Sequence, residues 1–433
     1  MRISVAGTGY VGLVTAVCLA ERGNNVTCLD IDEEKISLMQ NGVSPIFEPG
    51  LEVLMKKNKE NITYTTDYQR AYCNAQIIII GVGTPEKKDG SANLKYVYEV
   101  ARQIAQTVEK DCIVIVKSTV PVGTNDKVEQ IIKENKKHNV TIEVASNPEF
   151  LSQGTAVKDT LNATRIVLGV ESESAERLLK KMYSEFNIPF VVTDRRSAEM
   201  IKYAANDFLA LKISYINEMA NLCEIVGANI DDVATGMGMD PRIGDRFLSA
   251  GIGYGGSCFP KDTKALHWLA SFNDYELKTV KAAIEVNENQ KIKLIKKSRK
   301  YYDSFSGLNI AVLGLTFKPG TDDLRDAPSL VNIPLMLEDG AHVKAWDPVG
   351  AENFRKLFPN EINYCESIED TLLDADICFI FTEWAEIKNF PLYKYKELMK
   401  NPLILDGRNC YSLTEVEEAG LIYESIGRRK VNS

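Results

Sequence analysis

RISVAGTGYVGLVTAVCLAERGNNVTCLD, residues 2–30, is the stretch on which the fold turns. A short β-rich run, RISVA, leads into glycines at 7, 9 and 12, the G-x-G-x-x-G spacing. A helical pattern follows from Val11 to Arg22, and a second β-rich run, NVTCLD, ends at Asp30, 18 residues after Gly12. The spacing alone is weak evidence. A strand before it and a helix after it make it a phosphate-binding turn. Glycine permits the tight turn and the close approach of a pyrophosphate to a helix N-terminus. A carboxylate at Asp30 bonds both ribose hydroxyls and repels a 2′-phosphate, which selects NAD over NADP. Tyr10 and Val11 fall inside the turn, and Lys35 follows as a ribose contact or a solvated neighbour.

Working outward, the first third continues with AQIIIIGVG, CIVIVKST, IEVASNPEF and RIVLGV, separated by amphipathic stretches. Strand–helix alternation with near-continuously apolar strands predicts an α/β fold with a parallel, doubly wound sheet. The last third repeats the order: NIAVLGL matches RISVAGT, VKAWDP matches VTCLDI, DADICFIF matches NAQIIIIG, and PLILDGR matches DCIVIVKS. Between them the pattern is helical, and residues 197–227 predict one helix roughly 45 Å long at 1.5 Å per residue. It is apolar on several sides, which suggests burial between domains or subunits. The expected architecture is two Rossmann-like doubly wound domains, 1–196 and 301–433, joined by a central helical domain, 197–300. RKYYDSFSG, residues 299–307, reads as the junction, and the tail from Gly427 as frayed.

A chain of 433 residues has length for two or three domains. A net charge of −9 argues against nucleic-acid or membrane-surface partners, so an anionic ligand needs local Lys and Arg clusters. The opening MRISVAG reads as a strand and not a signal peptide. Nine scattered cysteines without a CxxC pair suit reduced thiols in a cytoplasm. The three histidines, His138, His267 and His342, lack metal-ligand spacing, so no metal is expected.

GIGYGGSCFPKDTKAL, residues 251–266, carries the chemistry. Cys258 stands two residues before Pro260, a residue that suits the first helical turn. A thiol at a helix N-terminus with Lys261 nearby is biased towards thiolate. The four glycines read as room for a substrate. On the long helix, Lys202 and Asn206 are four apart and share a face that Leu209, Ile213 and Asn217 continue. A buried stripe carrying Lys and Asn is costly unless each finds a partner.

Taken together, GTGYVG, GVGTP, KSTVPVG, NPEF, IKYAAN, DPRIGDRF, GGSCFPKDT and GLTFKPGTDDLRDAPS resemble the UDP-glucose/GDP-mannose dehydrogenase family over residues 1 to about 410. The resemblance implies oxidation of a sugar C6 alcohol to a carboxylate with two NAD, through a thiohemiacetal and a thioester on Cys258. It implies Lys202 as base or oxyanion-stabilising cation, and Asn206 as donor to the same oxygen. Asp262 would orient Lys202 or a water, Thr119 would position water beside the nicotinamide, and Glu149 would assist thioester hydrolysis. Asp262 and Thr119 also read as cap and turn residues. Thr84, Gln153, Lys261 and Arg325 join the cofactor contacts. Where the family has a second glutamate after NPEF, this chain has Gln153, which bonds but takes no proton.

The third segment, GLTFKPGTDDLRD, begins as the first does but lacks G-x-G-x-x-G. By resemblance it holds the UDP part of a UDP-sugar, with Lys318 and Arg408 near substrate. Phe150, Leu151, the loop Phe247, Leu248, Ser249 and Gly251, and Gly255 join the substrate set. Arg242 would act across a subunit boundary, which implies a homodimer or a higher homo-oligomer. Motif closeness favours UDP-glucose; the same chemistry on UDP-N-acetylmannosamine or GDP-mannose is the alternative. A two-electron hydroxyacid dehydrogenase needs neither Cys258 nor a third domain, and a binding protein needs none of Cys258, Lys202 and Asp262.

Overall fold

A computed structural model describes residues 1–432, which belong to two compact units, Met1–Ala205 and Asn206–Ser433. The first unit is built on eight strands: β1 (Arg2–Ala6), β2 (Asn25–Leu29), β3 (Ile62–Thr65), β4 (Ile77–Ile80), β5 (Cys112–Val116), β6 (Ile142–Ser146), β7 (Ile166–Gly169) and β8 (Phe190–Thr193). Their order is β3-β2-β1-β4-β5-β6-β7-β8. All neighbours are parallel except β6 and β7, which meet antiparallel at Ser146 and Gly169.

Side chains on a strand alternate between faces, and the central strands here are apolar on both. Ile3, Val5, Ile77, Ile79, Ile113 and Ile115 pack with the helix Tyr10–Glu21 on one face. Ala6, Ile78, Ile80, Val114 and Val116 pack with the helices Lys95–Thr107 and Thr124–Asn135 on the other. Edge strands carry a weaker signal. β3 and β8 alternate or expose their residues, and neither shows as an apolar run.

The second unit holds a six-stranded parallel sheet, β9 (Asn309–Leu313), β10 (His342–Trp346), β11 (Ile362–Tyr364), β12 (Ile377–Ile380), β13 (Leu403–Asp406) and β14 (Ile422–Glu424). Its order, β11-β10-β9-β12-β13-β14, repeats that of β1 to β6. The four matched sequence segments occupy equivalent places: β1 with β9, β2 with β10, β4 with β12, β5 with β13. Matching composition among buried strands does not require matching order, so the resemblance is one of fold.

The helical stretch comprises Arg195–Val226, Ile230–Gly238, Phe259–Phe272, Lys278–Lys291 and Lys293–Ser298. Within the second unit, Ile216, Ala220, Cys223, Ile230 and Leu248 share one hydrophobic core with Ile310, Val312, Phe379 and Leu405 of the sheet. Phe305 of the 299–307 junction is buried in it as well. The tail is not frayed through Asn432. Val431 is buried and pairs with Tyr423, and the Gly427 carbonyl accepts from Ile230 N. A Cβ at Gly427 would lie 2.6 Å from Ala220, so only glycine lets the tail approach this closely. No helix among the described residues is long and apolar enough to cross a membrane.

The long helix is fastened to the first sheet by Glu199, whose buried carboxylate accepts from Gly123 N (2.6 Å), Asn125 N (2.8 Å) and Asn125 Nδ2 (2.6 Å). The two backbone N–H groups are free donors at the start of the helix Thr124–Asn135, so Glu199 serves as its cap from a distance. Glu199→Ala strands them, at a cost of about 1–3 kcal/mol for each buried group. We expect a melting temperature lowered by several degrees, read by circular dichroism.

Candidate active site

The glycine turn leaves β1 at the point where strand order reverses, between β1 and β4, where nucleotides bind in such sheets. Its three glycines have different reasons. Gly7 has φ +93° and lies against Val82, where a Cβ would come within 2.9 Å. A Cβ at Gly12 would sit 1.8 Å from the Gly7 carbonyl oxygen. Nothing lies within 4 Å of a Cβ at Gly9, which stands at the start of the helix Tyr10–Glu21. The open glycine at a helix N-terminus is where a pyrophosphate fits. Asp30, half-buried at the end of β2, accepts from Thr8 N (2.8 Å) and Thr8 Oγ1 (2.6 Å). Its other oxygen accepts from Asp32 N at 3.2 Å. Tyr10 donates to the Phe47 carbonyl (2.6 Å), Val11 is half-buried beside it, and Lys35 lies 3.9 Å from Asp32 with its end in solvent. These residues fit NAD.

The loops after β4 and β5 are stitched together: Thr84 Oγ1 donates to the Thr119 carbonyl (2.9 Å), and Ser118 Oγ to the Val82 carbonyl (2.6 Å). After β6, Glu149 is buried with Lys202 Nζ 2.9 Å from its Oε1. Its Oε2 accepts from Leu151 N at 2.7 Å. The Phe150 ring lies 5.4 Å from the Lys202 ammonium and 4.1 Å from the Arg165 guanidinium. Gln153 is buried. The loop around it is held by Glu48, which accepts from Gly154 N and Ala156 N, both at 2.7 Å. Glu48 escapes sequence reading because nothing local links it to residues a hundred positions on.

In the second unit Cys258 caps the helix Phe259–Phe272, with Pro260 in the first turn, as its spacing predicts. The thiol is half-buried, and Ser257 Oγ lies 3.7 Å from it. Asp262, buried one turn on, accepts from Asn206 Nδ2 (2.7 Å) and Lys261 Nζ (2.5 Å), and its N–H bonds the Cys258 carbonyl. The glycines before Cys258 do not leave room. A Cβ at Gly253, Gly255 or Gly256 would strike Asn287, Asp326 or Phe317 at 2.7, 2.5 and 2.6 Å. They allow the loop to lie flat against its neighbours, where Gly256 N bonds the Arg325 carbonyl and Ile252 N the Gly407 carbonyl. Gly251 is buried with its N–H on Asn217 Oδ1 (2.8 Å). Phe247 takes φ +65°, costly for a bulky residue, between exposed Arg246 and buried Leu248, with Ser249 exposed.

Arg408, after β13, directs its guanidinium to the carbonyls of Phe381 (2.9 Å), Gly253 (3.0 Å) and Phe317 (3.2 Å), bracketing three loops. Lys318 lies over the Phe317 ring, Arg325 is paired with Asp323, and Arg242, exposed, is paired with Asp240. Asp347 at the end of β10 is the counterpart of Asp30. It is buried, and its carboxylate already accepts from Leu315 N, Thr316 N, Val349 N, Gly350 N and Trp384 Nε1. A ribose finds no free acceptor there, so the second sheet is not a second dinucleotide site of the same kind.

Three profiles of one family cover most of the chain: its NAD binding domain matches residues 1–187, its central domain 196–289 and its UDP binding domain 311–413. The chain belongs to the UDP-glucose/GDP-mannose dehydrogenase family. It is an NAD-dependent oxidoreductase. A UDP-glucose 6-dehydrogenase of Bacillus subtilis is 50% identical over 433 residues, covering 100% of this chain and 98% of that one. A UDP-glucose dehydrogenase structure from Pyrobaculum islandicum matches with TM-score 0.93 at 34% identity, covering 99% and 98% of the two chains. A UDP-D-ManNAc dehydrogenase structure from Pyrococcus horikoshii matches with TM-score 0.87 at 29% identity, covering 99% of each.

One carboxyl beside the cysteine loop escaped the motifs. Asp207 follows Asn206 on the long helix and is buried, and neither oxygen has a hydrogen-bond partner among the described residues. Burial, and then the Asp262 carboxylate, push it up to about 8. The folded value lies above the usual carboxylate value of about 3.9, so folding favours the neutral form. That contribution is complete below about pH 4 and is lost as pH rises towards 8. Asp207→Asn should therefore melt at a higher temperature than the wild type at pH 7. The gap should close towards pH 4, which thermal melts across that range will read.

Proposed function

We propose that this enzyme oxidises the C6 alcohol of UDP-glucose to the carboxylate of UDP-glucuronate in two hydride removals, with Cys258 holding the carbon between them. The observation that carries the covalent step is the placing of Cys258 at a helix N-terminus, with Asp262 fixing Asn206 one turn below. Support for the substrate is the end-to-end similarity to a UDP-glucose 6-dehydrogenase.

NAD, when bound, accepts the hydride, two molecules for each sugar. Gly9, Asp30 and the Thr84–Thr119 loops would hold it. A thiol at a helix start is biased towards thiolate by the helix dipole. As the first hydride leaves C6, the hydroxyl proton passes to water and an aldehyde forms; the Cys258 sulfur then attacks the aldehyde carbon, a C–S bond forms, and the carbonyl oxygen becomes an oxyanion. Asn206, its amide oriented by Asp262, and Lys202 stabilise that oxygen. After the second hydride leaves, the carbon is a thioester. Water, placed by Thr119, attacks it and gives a proton to Glu149. The C–S bond breaks and the thiolate returns. Gln153 takes no proton, so the base work rests on Glu149. Lys318, Arg408, Phe150, Leu151 and the 247–251 loop would bind the nucleotide sugar, and Lys261 and Arg325 the cofactor.

We further propose that two copies pair along the long helix. Phe208, Tyr215 and Leu222 are exposed at intervals of seven, with Ile225 80% exposed beyond them. A repeat of seven keeps one apolar seam along a helix. Arg242, whose side chain is 87% exposed, would then serve the partner's substrate.

Two NADH should form for each UDP-glucose consumed, measured at 340 nm with limiting substrate. One NADH would remove the thioester route, and turnover with UDP-N-acetylmannosamine or GDP-mannose but not UDP-glucose would move the substrate. Cys258→Ser should lose about a thousandfold or more in kcat. Glu149→Gln should accumulate a covalent adduct on Cys258, visible in the intact mass under turnover. For the pairing, Phe208→Glu with Ile225→Glu should yield a monomer by light scattering, where the wild type is at least a dimer.

A further inference from the structure

Lys117 is used by nothing above, although it lies in the KSTVPVG motif. It is 7% exposed and follows β5. Its Nζ donates to Asn147 Oδ1 at 3.1 Å and reaches the Asn147 carbonyl at 3.5 Å. Asn147 Oδ1 also accepts from Tyr183 OH (2.6 Å), and its Nδ2 donates to the Val167 carbonyl (2.8 Å). This buried network anchors the residue two before Glu149. Three other groups act on the ammonium: the Glu149 carboxylate on the loop after β6, the Lys202 ammonium on the long helix and the Cys18 thiol on the helix Tyr10–Glu21.

A buried ammonium is expensive, and a neutral amide could make the bond to Asn147. Burial brings Lys117 down to about 8, with Glu149 pulling the other way. Hydrogen bonding alone does not account for a charge kept there. What the charge adds is a second positive charge acting on the carboxylate that Lys202 already contacts.

We infer that Lys117 is a positioning residue for hydrolysis, its charge and its hold on Asn147 fixing the Asn147–Pro148–Glu149 turn so that Glu149 meets both Lys202 and the attacking water. The inference rests on the thioester route proposed above. In the step concerned, water oxygen bonds the thioester carbon, the water proton passes to Glu149, the C–S bond breaks and Cys258 leaves as thiolate; no electrons change hands. Lys117 touches none of the reacting atoms.

The pH consequences follow from its value near 8. Above that pH the ammonium is lost, and hydrolysis should slow. Stability moves the other way. The folded value lies below the usual lysine value of about 10.4, so the protonated fold is penalised below about pH 8 and relieved as pH rises towards 10.4.

The test uses full-length Lys117→Met, and Lys117→Gln, which can keep the bond to Asn147 without the charge. Both should lower kcat about tenfold or more, leave KM for UDP-glucose within about threefold, and accumulate the Cys258 adduct. Both should lose the alkaline fall near pH 8, and Lys117→Met should melt no lower than the wild type at pH 7. Wild-type kcat and no adduct in either variant would overturn the inference. So would a lowered kcat that comes with a lowered melting temperature and an unchanged pH profile. If the wild type itself releases one NADH per sugar, the thioester route falls and takes the inference with it. If it releases two and the variants hydrolyse normally, only the role of Lys117 falls.

Discussion

A buried ammonium 2.9 Å from a buried carboxylate, Lys202 against Glu149, is the interaction on which the placing of the loop after β6 depends. Neither charge is tolerable inside a protein without the other, and removing one partner leaves the other stranded. The pair therefore ties the long helix to the loop after β6. Everything around it serves that register. Glu199, one helical turn earlier, caps a helix of the sheet. Glu48 caps the helix after the loop. Asn147 is held from below by Lys117 and Tyr183. The carboxylate is thus placed by a set of buried polar contacts, each costly to break.

The two sheets show how one topology takes on two tasks. Both place a carboxylate at the end of their second strand, Asp30 and Asp347. Asp30 is half-buried and bonded to Thr8, beside an open Gly9. Asp347 is enclosed and saturated by six donors that brace its own loop. The same strand order thus yields a nucleotide cradle in one case and a structural post in the other. The difference lies in local hydrogen bonding and not in topology, which is why function has to be argued from sites.

Much of this could be read from the chain. β4 and β5 and their counterparts β12 and β13 are buried throughout, and β1, β2, β9 and β10 keep at least one buried apolar face, so their order is visible twice. β3, β8, β11 and β14 lie at or near edges, alternate or are short, and leave little trace. The turn at Gly7, Gly9 and Gly12 and the helix start at Cys258 are local devices and are legible. The glycines before Cys258 were legible as a requirement but not as a cause. Their missing side chains make way for Asn287, Asp326 and Phe317, which lie far along the chain. The same holds for the tail, whose charged residues suggest fraying. Burial of Arg428 against Tyr423, Tyr411 and Ser425 holds it in place.

By itself the sequence determined the alternation of strand and helix, the dinucleotide turn, the choice of Asp30 and the cysteine at a helix start. Each of these depends on residues within a few positions, or on a periodicity of two or 3.6. Only the tertiary structure decided which carboxylates are enclosed and by whom: Glu48, Glu149, Glu199, Asp207 and Asp347 look alike as letters. A charge acquires its role from the dielectric around it and from donors brought within 3 Å, and folding brings those donors from distant parts of the chain.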